Sequence, residues 1–146
     1  MALHRRIAVV GVAALVTLLA LPGAAQAQEK YKVRLATVPM DGGMRSTVAG
    51  KGAATAVLEG AKLTVTGTFE GLLSPATTAN VHRGPAMGVR GMPFAQLTVK
   101  TGTSGTVSGS VDLTPEQLRG LRAGQLYIQI ASEKAPDGNL WGWFVR

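Results

Sequence analysis

His82 is the side chain of this chain best placed to do chemistry, because it is the only histidine after residue 27. It lies in the stretch Gly71–Leu97, GLLSPATTANVHRGPAMGVRGMPFAQL, between a short apolar strand and a loop punctuated by glycine and proline. An imidazole at a strand end can serve as acid, base or metal ligand. Asn80, two residues earlier, shares its face, since alternate strand side chains point the same way. A zinc-type site needs three or four donors, and the chain has no cysteine. Met40, Met44, Met87 and Met92 are the remaining soft donors, and with His82 they could hold Cu(I) if the fold gathered them. A periplasmic copper-type domain is therefore the alternative reading. The first reading has no metal and no cofactor.

Hydrolytic chemistry finds less support. No Ser-His-Asp set has motif context, and Glu59, Glu70, Asp112 and Glu116 fall beside turns or a helix start, where solvation or capping explains them. There is no G-x-S-x-G elbow and no phosphate-cradling loop. No catalytic residue is expected, and the chain is read as no enzyme.

Met1–Ala27 has the anatomy of a cleaved leader: Arg5 and Arg6, an apolar stretch Ile7–Leu21, then Ala25-Gln26-Ala27. The apolar run is shorter than the ~20 residues a membrane span needs. Residues 28–146 are read as one domain without disulfides, periplasmic or secreted, with no membrane span after cleavage. The full chain carries +7; removing Arg5 and Arg6 leaves 13 basic against 8 acidic side chains, a net +5. The basic residues are scattered through the sequence with no run of the nucleic-acid type, so no nucleic-acid partner is expected.

Two-residue alternation runs through the domain. Val33, Leu35 and Thr37 mark a first strand, and Lys62–Phe69 puts Leu63, Val65, Gly67 and Phe69 on one face and Thr64, Thr66 and Thr68 on the other. Ser46–Leu58, Ala76–His82, Met92–Lys100, Gly105–Leu113, Gln125–Ala131 and Asn139–Arg146 follow as strands, the last two as a hairpin around Ser132–Gly138. One short helix spans 114–123, with Thr114 as N-cap, Pro115 in the first turn, Gln117 completing a capping box and Gly124 closing it. The expected fold is all-β: an Ig-like antiparallel β-sandwich or barrel of about seven or eight strands.

In order, GKGAATAVLEG, LTVTGTFEGL, PATTANVHRGPAMGVRGMPF, SGTVSGSVDLTPEQLRGLRAGQLYIQI and PDGNLWGWF resemble the chordin-type (CHRD) domain, over roughly Val48–Val145. The resemblance implies an Ig-like barrel, an interaction module and no enzymatic activity, in exported proteins that include bacterial ones. It also exposes departures. The family's His-x-His is Asn80 and His82 here, a further family histidine is Ala131, and G-E-I-R-G becomes Gly138-Asn139-Leu140-Trp141-Gly142 followed by Trp143.

The candidate binding residues are Asn80, His82, Arg83, Tyr127, Gln129, Trp141 and Trp143. Pairing the last two strands with Ala131 opposite Asn139 sets Gln129 against Trp141 and Tyr127 against Trp143. Two fates are open for these rings. They form an exposed face for a protein or a cell-envelope polymer, or a loop such as Gln28–Ser46 covers them as a second small core.

Overall fold

The computed structural model describes residues 27–146. The expected leader, apart from Ala27, lies outside the described residues. Eight strands are present: β1 Gln28–Thr37, β2 Lys51–Glu59, β3 Lys62–Glu70, β4 Ala76–Arg83, β5 Met92–Val99, β6 Gly105–Asp112, β7 Leu126–Ser132 and β8 Ala135–Val145. One helix, α1 Pro115–Arg122, joins β6 to β7. All pairings are antiparallel, and the strands close into a barrel in the order β1-β2-β3-β6-β5-β4-β7-β8.

The all-β expectation with one short helix holds, whereas the sandwich half of it does not. β3 pairs with β6, β5 with β6 and β8 with β1, so the sheet closes on itself. A trace of two sheets survives at the β5/β6 seam, where Thr98↔Ser108 and Val99↔Val107 are the paired residues.

Alternation decides inside from outside. Leu63, Val65 and Phe69 are buried while Thr64, Thr66 and Thr68 are exposed. A buried Leu, Ile or Phe is worth about 1.5–3 kcal/mol, against about 0.2–1 kcal/mol for an outer cross-strand pair such as Thr55–Thr66. The inner face therefore sets the register. Gly67 fits that face because a Cβ there would lie 2.5 Å from Ala54 Cβ.

Three boundaries differ from expectation. β2 begins at Lys51 rather than Ser46, because Met44–Ser46 forms a 3-10 turn and Gly50, at φ +114, brings the chain against Glu70. The β7–β8 turn is Glu133-Lys134, so β8 starts at Ala135 instead of Asn139. The helix proper is Pro115–Arg122. Its capping box is complete, and Gly124 (φ +73) ends it with Gly124 N–H to Leu121 O and Gln125 N–H to Gly120 O.

Candidate functional site

The strand order sets β4, β7, β8 and β1 side by side, so outward residues of four distant segments line up in rows. Asn80 faces Gln129, Gln129 faces Trp141, and Trp141 faces Ala36; one step along, His82 faces Tyr127 and Tyr127 faces Trp143. The expected pairings of Gln129 with Trp141 and Tyr127 with Trp143 are present. Six of the seven proposed residues share this outer face.

Arg83 does not join them. It follows His82 on β4 and so turns the other way, its guanidinium 3.5 Å from Gln125 Oε1 and beside Gly120 of α1.

The rings nest rather than spread. His82 stacks on Tyr127 with centroids 4.8 Å apart and planes 22° from parallel. Trp143 lies against Tyr127 at 4.4 Å, and Trp141 meets Tyr127 edge-on at 5.7 Å and Trp143 at 5.6 Å. Tyr127 is 1% exposed and His82 7%, while both tryptophans are half-buried.

The cover is the β4–β5 loop, residues 84–91. The Tyr127 hydroxyl accepts from Gly91 N–H (3.0 Å) and donates to Gly91 O (3.2 Å); His82 Nδ1 donates to the same carbonyl at 3.0 Å. Arg90 sets its guanidinium 5.9 Å from the Trp141 ring centre and donates to Asp137 O at 3.0 Å. The loop can fold back this tightly only through glycine: a Cβ on Gly91 would sit 1.7 Å from Arg83 O, and one on Gly84 2.0 Å from Val89 O.

Burial is uneven across these rings. Tyr127 and His82 are core, and the tryptophans keep an open edge. The covering segment is 84–91 rather than Gln28–Ser46, although Val38 and Met44, with Val48 and Ala135, pack on Trp141 as a small second cluster. Asn139, on the outward side by alternation, is wholly buried there, its amide donating to Ser132 Oγ at 2.8 Å. Arg90 was missing from the sequence reading, because strand alternation carries no information on where a loop side chain reaches.

Burial holds the His82 pKa below its ordinary value; the Gly91 carbonyl works the other way and the Arg90 charge adds to the lowering. At neutral pH the ring is uncharged, and the carbonyl partner assigns the proton to Nδ1. No serine, threonine or carboxylate among the described residues hydrogen-bonds to it. The methionines do not converge on it: Met44 is in the Val38 cluster, Met87 lies against Gly124, and Met40 and Met92 are exposed. Among the described residues no group of three or more His, Cys, Asp or Glu side chains could hold a metal ion. No helix among them is long and apolar enough to cross a membrane.

One surface cavity lies away from the rings. It is an open groove of about 680 Å³ on the far side of β1, lined by residues of β1, β2 and β3. The CHRD domain family model matches residues 31–143 of the chain. No curated protein and no solved structure matches it.

Proposed function

The chain belongs to the CHRD domain family, and from that premise we propose that it is an exported, non-catalytic binding module for a protein or a cell-envelope polymer. The observation that carries this reading is the pair Trp141 and Trp143, half-buried and locked edge to face on the outside of a closed barrel. Such rings present apolar area whose ordering has already been met by the fold, so little entropy is lost on contact. Indole N–H groups and the half-buried Asn80 amide add directional polar contacts.

The test is retention of the processed protein on envelope fractions and on immobilised glycans, for the native chain and for Trp141→Ala and Trp143→Ala. Each variant is checked by thermal melting, and Trp141→Phe and Trp143→Phe serve as ring-preserving controls. Retention falls at least about tenfold in the alanine variants and less in the phenylalanine ones. Unchanged retention in folded alanine variants would remove the proposal.

A further inference from the structure

Three cations stand in one line on the outside of the barrel. Lys30, Lys32 and Arg34 occupy alternate positions of β1 and are exposed, while Tyr31, Val33 and Leu35 between them are buried. Strand geometry sets successive cations about 6.7 Å apart. None of the three forms an ion pair among the described residues, where the salt bridges are Lys51–Glu70, Arg122–Glu29 and Arg146–Glu29. Their cross-strand neighbours on β2 are Val57, Thr55 and Ala53. On the β8 side Val145 faces Lys32, and the same register brings Trp143 beside Arg34. No carboxylate sits directly opposite the line, so the three charges repel one another, a cost that a chain of anions would remove.

Beyond Arg34 this line opens into the groove on β1–β3. Ala36 and Ala53 form its small floor; Arg34, Lys51, Thr68 and Ser104 stand around it. Glu70, also at the groove, is held 3.7 Å from Lys51. From Lys30 to Ala36 the track is about 20 Å long.

We propose that this track binds an extended acidic polysaccharide, a polymer whose sugar rings carry carboxylates. The inference rests on the binding-module reading above and names its ligand. Carboxylates pair with Lys30, Lys32 and Arg34, the last able to donate two parallel hydrogen bonds to one. Sugar hydroxyls meet Thr68 and Ser104, and the alanine floor lets a ring approach the sheet. Single-stranded nucleic acid fits less well, because it needs open ring faces to stack on and the one aromatic residue lining the groove, Phe69, is buried. A lipid surface is flat and would touch only the rims of the groove.

The experiment is calorimetry and affinity electrophoresis of the processed protein with four probes: polygalacturonate, neutral dextran, oligothymidylate and phosphatidylglycerol vesicles, each at low and high salt. Polygalacturonate binds, and binding weakens at least about tenfold at high salt. The charge-reversed pair Lys32→Glu with Arg34→Glu loses a similar factor, whereas Lys30→Arg with Lys32→Arg keeps it. Ala53→Trp fills the groove and weakens binding at an unchanged melting temperature. Equal binding of dextran, an indifferent charge reversal, or tighter binding of oligothymidylate or vesicles overturns the proposal. Failure of all four probes overturns the track alone, since the envelope-fraction experiment tests the binding module separately.

Discussion

The Tyr127 hydroxyl holds Gly91 by both of its backbone groups, accepting from the N–H at 3.0 Å and donating to the carbonyl at 3.2 Å. One phenol thereby ties the end of loop 84–91 to the middle of the sheet. Tyr127→Phe keeps the ring, and with it the contacts to His82 and Trp143, but leaves Gly91 N–H without its partner. Leaving a part-buried backbone donor unmet costs about 1–3 kcal/mol. The expected outcome is a loss of that size in denaturant stability, together with faster amide exchange at Gly91. Unchanged exchange there would show that the loop is held by other contacts.

His82 makes the same loop sensitive to pH. Its folded pKa lies below the ordinary value of about 6.5. The unfolded chain therefore takes up the proton first as pH falls, and stability decreases with falling pH. The contribution is complete above about pH 6.5 and is lost as pH drops through the lower, folded value. Denaturation midpoints measured from about pH 7.5 down to about pH 5 should fall in the native protein and fall less in His82→Gln. Parallel curves for the two proteins would contradict this account.

Glycine at position 91 is a steric requirement, not a preference. Its Cβ would overlap Arg83 O at 1.7 Å, and backbone, unlike a side-chain tip, cannot swing away. Gly91→Ala must therefore reopen the loop and release Arg90 from Trp141. A loss of at least about 3 kcal/mol is expected, with a shift of tryptophan emission as the indoles gain solvent. Gly88→Ala is the contrast: nothing lies within 4 Å of its Cβ, and the cost is the strain of φ +83 alone.

These contrasts show which parts of the molecule were legible in the sequence. Counting by twos was enough to set Gln129 against Trp141, because cross-strand partners follow from alternation and turn length. Helix α1 was readable down to its capping box, because caps are local chemistry. Arg90 was not readable, because a loop's path depends on tertiary contacts such as the Tyr127 hydroxyl. The basic line on β1 was present in the text as Lys30, Lys32 and Arg34, yet as a scatter of charges it looked bland. Only a strand conformation turns that spacing into one edge of positive charge. Asn139 keeps the outward side that alternation gives it and is nonetheless buried, with Val38 N–H donating to its carbonyl at 3.0 Å, a burial that strand period alone does not reveal.

At the opposite end of β1 a second device links both termini of the domain to the helix. Glu29 accepts from Arg122 Nη2 at 2.9 Å and from the Tyr31 hydroxyl at 2.8 Å, and forms an ion pair with Arg146 Nη2 at 2.9 Å. The hydrogen bond from Arg122, followed by that from Tyr31, holds the Glu29 carboxyl below its ordinary pKa. A lowered carboxyl value gives stability that is present above the unfolded pKa and lost as pH falls through the folded one. The Glu29 and His82 effects thus separate by pH, the histidine window opening near 6.5 and the carboxylate window below about 4.5. Glu29→Gln should lower stability at neutral pH by a modest amount, as the groups are partly solvated. It should also flatten the acid limb of the stability curve while leaving the histidine limb intact. Arg122→Ala should do the same, because Arg122 supplies the largest share of the lowering. An acid limb in Glu29→Gln as steep as in the native chain would assign acid unfolding to other carboxylates.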